Sequence, residues 1–405
     1  MSLRKIGRFG AFACALACAS LLQGCWDRTE VNDLGLITGA AIDRQDENHI
    51  RLAVQIFVPR ASGGGGGGME MGSKGGVGTS STFVHSAVGE NIADALSHLQ
   101  ERMPRRLFWG HAEVILFGEA EARHGIRDDI DYLMRAPQPR ERAYIYVCSG
   151  QARQVLEMQA TLERDSSEAL REIAKSGESM SVTMTQLAKM LADESGAAAL
   201  PWLKRNAPRT KTNPDGSANY SNGTAVFKDD RMVGVVDEAT TRGILWLRNE
   251  IKNGVITVRP EGGQGSVSAK VLRGKTTLKP RIAGGKWSMT VRIKTDTDAL
   301  QNASSVNLMT SQAAVRSVEK ALEQDLTARV DMALQKVQKN LKADVFDFAG
   351  AFHRAYPKAW HRYGSRWDEN FPEVEVKVIP QVRMLRPGLS NAQNREKNGK
   401  DEDAG

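Results

Sequence analysis

The chain has 405 residues, with 55 Lys and Arg against 48 Asp and Glu, a formal net charge of +7, 25% charged residues and 41% apolar ones. That balance excludes a disordered or collagen-like chain, and four cysteines in such a length exclude a small disulfide-stapled scaffold. No basic run is interleaved with aromatic rings, which argues against a nucleic-acid partner.

Arg4, Lys5 and Arg8 precede an uncharged, mostly apolar run over residues 9–22. A spanning helix needs roughly 20 apolar residues, so this run is short for a permanent span and suits a cleaved signal peptide, residues 1–24. It ends in Leu22-Gln23-Gly24-Cys25, which resembles a bacterial lipobox. Leu22 would fill an apolar peptidase pocket, small Gly24 would sit at the cut, and the Cys25 thiol would take diacylglycerol. Each acyl methylene buried in a bilayer contributes about 0.8 kcal/mol, and two chains anchor where one does not. Cleavage would remove Cys14 and Cys18, leaving Cys148 of "AYIYVCSG" without a partner, as a buried core thiol. It would also lower the net charge to about +4, an excess that favours anionic headgroups.

An N-terminal α/β domain is expected over 25–205. "LGLITGAAID" and "IRLAVQIFVP" read as a hairpin ended by Pro59. A glycine-rich loop follows over 61–80, with no means of packing. "STFVHSAVG" reads as a strand and 91–103 as a helix with Ile92, Leu96 and Leu99 on one face. "HAEVILFG" and "RERAYIYVCSG" are strands around the short helix "IRDDIDYLMR", and helical periodicity continues from 151 to about 193. "PRTKTNPDGSANYSNG" marks a boundary. Beyond it, a small middle α+β domain is expected over 218–282. It holds the hairpin "GTAVFKDDRMVGVV", a helix N-capped by Asp237 with Gly254 near its end, and the strands "VITVRP" and "SVSAKVLRGKTTLKPRI". A C-terminal α/β domain over 283–385 would add "KWSMTVRIKTDT" and a long amphipathic helix over 311–341. Val315, Val318, Leu322, Leu326, Val330, Ala333, Val337 and Leu341 form its apolar stripe, on a rod about 45 Å long. Packing against a sheet explains that stripe, with a coiled-coil seam as the alternative. "VFDFAGAFHRAYPKAWH" is helical, "VEVKVIPQV" is the last strand, and 386–405 is a polar, disordered tail. The fold class is therefore α+β or mixed α/β, three consecutive domains whose mixed or antiparallel sheets pack against helices.

Chemistry has few candidates. The glycine run lacks the Gly-Lys-Ser/Thr of a phosphate loop, and no helix follows it. His111-Ala112-Glu113 matches the start of a zinc deaminase signature without the paired cysteines, and reads as a strand-edge histidine. His353 and His361 are separated by Pro357, which spoils helical ligand geometry. Ser317 and Lys320 lie on the polar arc of the long helix. Asp128-Asp129 and Asp229-Asp230 fit helix starts and turns. Trp360 and Trp367 read as core closed by the last strand, with a docking surface as the alternative. No catalytic residue, metal ligand or cofactor site emerges.

The residues do carry a resemblance. "GCWDRTEVNDLGLITGAAID", directly after the lipobox, resembles the opening of the Ger(x)C spore germination lipoproteins, the C subunits of germinant receptors. "RRLFWGHAEVILFGEAEARHGIRDDIDYLMRAPQPRERAYIYV", "GTAVFKDDRMVGVV" and "YPKAWHRYGSRWDENFPEVEVKV" are similar to later segments of that family, in the same order. The glycine-rich insertion departs from it. The resemblance implies a non-enzymatic, three-domain protein lipid-anchored on the extracytoplasmic face of the spore inner membrane. There it would assemble with two integral-membrane subunits, an A-type and a transporter-like B-type, so that small nutrients trigger germination. The rival reading is a solute-binding lipoprotein that delivers a small molecule to a transporter. Such lobes usually hold parallel sheets, which the hairpin-rich pattern argues against.

Overall fold

A computed structural model describes residues 33–57, 82–158, 160, 162–205 and 220–387. Leu22, Gln23, Gly24 and Cys25, the glycine-rich segment 61–80 and residues 388–405 of the expected tail lie outside the described residues.

Strands β1 (Leu34–Arg44) and β2 (Ile50–Phe57) form the expected antiparallel hairpin. Asp46 shapes its turn by accepting from the amides of Asn48 and His49 at 2.9 and 3.0 Å. β3 (Thr82–Gly89) pairs antiparallel with β2. Helix α1 (Ile92–Glu101) starts where the Asn91 side chain accepts from the Asp94 amide, and buries Ile92, Ala95 and Leu99.

From here the pattern changes. β4 (Arg106–Phe108) and β5 (Val114–Gly118) lie parallel to β1, β6 (Tyr144–Cys148) parallel to β5, and β7 (Ala197–Arg205) parallel to β6. Parallel neighbours need crossovers, and helices supply them. α2 (Glu119–His124) and α3 (Arg127–Arg135) join β5 to β6. α4 (Arg153–Leu156), α5 (Ser166–Ser176) and α6 (Met184–Ala192) join β6 to β7. The parallel centre was not legible from the hairpin-rich flanks. Its strands are buried on both faces: Leu116, Tyr146 and Cys148 pack under α4 and α5, while Ile115, Phe117 and Ile145 face the larger core.

The expected middle unit, 218–282, divides its strands between two sheets. β8 (Tyr220–Lys228) and β9 (Arg231–Val236) complete the first sheet, whose nine strands run β3-β2-β1-β5-β6-β7-β8-β9 with β4 also on β1. β7 and β8 pair antiparallel from Ala197↔Lys228 to Arg205↔Tyr220, across the Pro- and Asn-rich boundary. Composition flags that connection but carries no information on whether the apolar strands flanking it pair with each other, and unpaired strand edges are costly. α7 (Glu238–Leu247), capped by Asp237 as expected, leads to β10 (Val255–Val258) and β11 (Val267–Ala283). These join β12 (Lys286–Asn302) and β13 (Glu375–Arg386) in a four-stranded sheet, β10-β11-β12-β13. The expected boundary at 282/283 thus falls in the β11–β12 hairpin, whose Gly284 and Gly285 take φ of +56° and +76°. A two-residue turn with both φ positive matches the right-handed twist of its strands and favours glycine.

The long helix forms α8 (Gln312–Ala333) and continues in π-helical turns to Leu341. Its stripe is buried at Val318, Leu322, Leu326, Val330, Ala333 and Val337. It packs on α7 and on β13, so the coiled-coil alternative gives way to core packing. A Cβ at Gly243 of α7 would sit 2.1 Å from the Arg329 carbonyl oxygen, so the two helices approach with no room for a side chain. Glu319 and Glu323 of α8 accept from the Met384 and Val382 amides at 2.8 and 2.9 Å, tying the β13 edge to the helix. α9 (Phe348–Ala355), α10 (Pro357–Tyr363) and α11 (Trp367–Asn370) follow, with Pro357 at the first turn of α10. Trp367 sits among Trp287, Phe352, Trp360 and Phe371, with ring centroids 5.3 to 5.9 Å away. The two tryptophans are core.

Candidate functional site

β1, the first described strand, lies inside the large sheet and starts nine residues after Cys25. Nine residues reach at most about 30 Å when fully extended. A group attached at Cys25 would therefore stay within that distance of the sheet's interior strand.

Beneath β1 lies a buried acidic cluster. Asp43 accepts from the amides of Ala152 and Arg153 at 2.6 and 2.9 Å, at the start of α4. A Cβ on Gly118 would lie 2.1 Å from Asp43 Oδ1, so this neighbour has to be glycine. Arg44 Nη2 donates to Glu121 Oε1 at 2.7 Å, while its Nε lies 2.7 Å from Oε2 as an ion-pair contact without hydrogen-bond geometry. Asp129 is buried beside Glu121, and desolvation together with that carboxylate pushes it up to about 8. The cluster ties β1, α2, α3 and α4 together. The Asp128-Asp129 pair, read in the sequence as a helix start, does open α3, yet the buried partner of Asp129 had no local signal.

Two clefts stand out. One of about 610 Å³ lies between α5 and α7, with Tyr146, Ile173, Met180, Thr241, Arg242 and Leu245 on its walls. Its polar groups are largely spoken for. Tyr146 donates to the Leu170 carbonyl oxygen at 2.8 Å, Thr241 to that of Asp237 at 2.9 Å, and Arg242 pairs with Glu238 at 3.2 Å. The walls suit an apolar group rather than a reacting one. The second, about 790 Å³, lies where α6, α9 and β11 meet, and its Arg248 and Arg354 are held by Val345 O and Asp347.

The remaining residues weighed from sequence are apart. His111 is exposed in the turn before β5, while Glu113 accepts from Arg171 at 2.5 Å. His353 meets Glu194 at 2.7 Å and stacks on Trp360. Ser317 and Lys320 both bind Glu261, at 3.0 Å each, so they tie α8 to the loop before β11. Asp229 occupies a positive-φ turn and Asp230 pairs with Arg127. Cys148 is buried, and burial pushes its thiol up, away from a reactive thiolate. Among the described residues no group of three or more His, Cys, Asp or Glu is placed to hold a metal, and no helix is long and apolar enough to cross a membrane.

Comparison with known proteins follows the two halves of the chain. Residues 27–205 match the model described as the spore germination protein N-terminal domain, and residues 222–388 match spore germination B3/GerAC like, C-terminal. The chain is 29% identical to YfkR of Bacillus subtilis over 91% of its own length and 94% of that protein's. It is 25% identical to spore germination protein KC of the same organism, covering 92% and 94% of the two chains. The crystal structure of the GerBC protein shares the fold with a TM-score of 0.56 and 19% identity, over 86% of this chain and 97% of that one. With both halves matched in order, the chain belongs to the GerAC-like family of spore germination proteins.

Proposed function

We propose that the chain is a lipid-anchored, non-enzymatic subunit of a spore germinant receptor, held on the extracytoplasmic face of the spore inner membrane by diacylglycerol on Cys25. The observation that carries this reading is the Leu22-Gln23-Gly24-Cys25 sequence placed nine residues before a strand of the large sheet, in a chain of this family. Integral-membrane A-type and transporter-like B-type subunits are the partners. The anchor works through effective concentration: confinement to a thin layer makes docking onto embedded partners nearly intramolecular, so modest interfaces suffice. In the clefts Tyr146, Thr241, Arg242, Arg248 and Arg354 are engaged in structural bonds, which supports an adaptor rather than a catalyst. Replacing Cys25 by Ala is expected to move the protein from the membrane to the soluble fraction and to impair nutrient-triggered germination. Normal germination with the unlipidated protein would contradict the proposal. The rival reading, a solute-binding lipoprotein, would place a small molecule in the 610 Å³ cleft. Calorimetry with amino acids and sugars separates the two, since a carrier binds one of them with no other subunit present.

A further inference from the structure

The outward face of the four-stranded sheet is strongly cationic. Along β11 the exposed residues include Lys275, Lys279 and Arg281, along β12 Arg292 and Lys294, and along β13 Lys377. Opposite faces of these strands hold the core, for example Val291, Ile293 and Val382, so alternation turns all six cations to one side. The carboxylates on that side are few. Asp296 takes both Arg273 and Arg383, Asp298 takes Arg386 at 3.6 Å, and Glu375 is exposed at the start of β13. None of the six has a carboxylate within ion-pair reach among the described residues.

One pairing shows that the arrangement is costly in the isolated chain. Lys275 and Lys294 are directly opposite across β11 and β12, and the β13 partner of Lys294 is neutral Gln381. Like charges in register destabilise a sheet. Guarding a free edge against aggregation does not explain Arg292 and Lys294, because β12 is an interior strand. The same face has no aromatic side chain. Protein hot spots draw on Trp, Tyr and Arg, and protein interfaces are depleted in Lys; single-stranded nucleic acid needs rings to stack on. A flat field of lysines and arginines without rings suits a diffuse anionic surface.

We infer that this face docks on the anionic phospholipid headgroups of a bilayer, as a second membrane contact separate from Cys25. Each Lys or Arg near such a surface adds to the attraction, and the attraction falls off within a Debye length. A hollow of about 430 Å³ is lined by Lys275, Lys294 and the Arg273–Asp296–Arg383 ion pairs, and its two unpaired lysines give headgroup oxygens a place between the strands.

The test is a competition in which the full chain partitions between neutral phosphatidylcholine vesicles and vesicles of phosphatidylcholine mixed with phosphatidylglycerol. The wild type is expected to favour the anionic vesicles. Replacing Lys275, Lys279, Arg292 and Lys294 together by Thr should lower that preference by about 1,000-fold. A charge-matched control replaces Arg102, Lys204, Lys252 and Lys358, all exposed and off this sheet, by Ser and should lower it far less. Amine labelling of the bound wild type gives an independent readout: Lys275, Lys279, Lys294 and Lys377 should be protected on anionic vesicles and recover in high salt, while Lys252 and Lys358 stay reactive. Equal losses in the two variants, no anionic preference in the wild type, or unprotected sheet lysines would each overturn the inference. Selective capture of an acidic protein by the same face, without vesicle preference, would do so too. Cys25 is intact in every arm, so failure of the anchor would leave the anionic-to-neutral ratio and the labelling pattern unchanged.

Discussion

The two sheets solve the same burial problem in opposite ways. The parallel centre of the nine-stranded sheet is sandwiched, and β5 is buried at all five positions. The four-stranded sheet is covered by α8 and the aromatic cluster on one side only, and alternates buried with exposed along β12. Sandwiching turns a strand into a continuous apolar word such as "VILFG", whereas one-sided cover leaves a period of two such as "TVRIKT". The free face is then available for a charge pattern that folding does not dictate. Stability and surface recognition thus reside on different faces, and substitutions should separate them.

The largest effect is expected in the cluster that closes the four-stranded sheet. Trp367→Ala removes a buried ring and its 3.1 Å bond to buried Asp344, and should destabilise by about 3–5 kcal/mol in denaturant unfolding. Leu116→Ala, on a strand covered on both sides, should cost about 2–5 kcal/mol by the same measurement. Asp129 should show as a pH effect. Its carboxyl rises from 3.8 to about 8 in the folded state, so the folded chain binds the extra proton, and this contribution to stability is present below pH 4 and lost as the pH rises through 8. Asp129→Asn should flatten that part of the profile and make the protein more stable than wild type above pH 8. A profile as steep in the variant as in the wild type would contradict this role for Asp129. Smallest of all, Lys294→Thr on the open face should shift stability by no more than about 0.5 kcal/mol, upward if anything, because it relieves the contact with Lys275.

Much of this was readable before any coordinates. The β1–β2 hairpin, the Asp237 cap, the α8 stripe and the buried Cys148 follow from alternation, capping chemistry and helical spacing, all of which are local. The parallel centre β1-β5-β6-β7 was not readable, because pairing between strands far apart in sequence leaves no mark on either one. The domain limit read between 205 and 218 lies where the two family models divide, although the strands beside it pair, which composition does not reveal. The acidic cluster was hidden in a similar way: Asp129 looks like any first-turn carboxylate until Glu121 and Arg44 are brought to it from other elements. Alternation in "KTTLKPRI" predicts one exposed face for β11, but only the register with β12 shows Lys275 facing Lys294. The proposed lipobox at Leu22, Gln23, Gly24 and Cys25 rests on the string alone, since those residues lie outside the described ones.

If a thioether-linked diacylglycerol presses a water-soluble body against the bilayer, the amino-terminal peptide of protein isolated from spores will carry that mass. Tandem mass spectrometry should find the chain beginning at Cys25 with the lipid on its sulfur. A peptide that retains residues 1–24, or a free thiol at Cys25, would contradict the account.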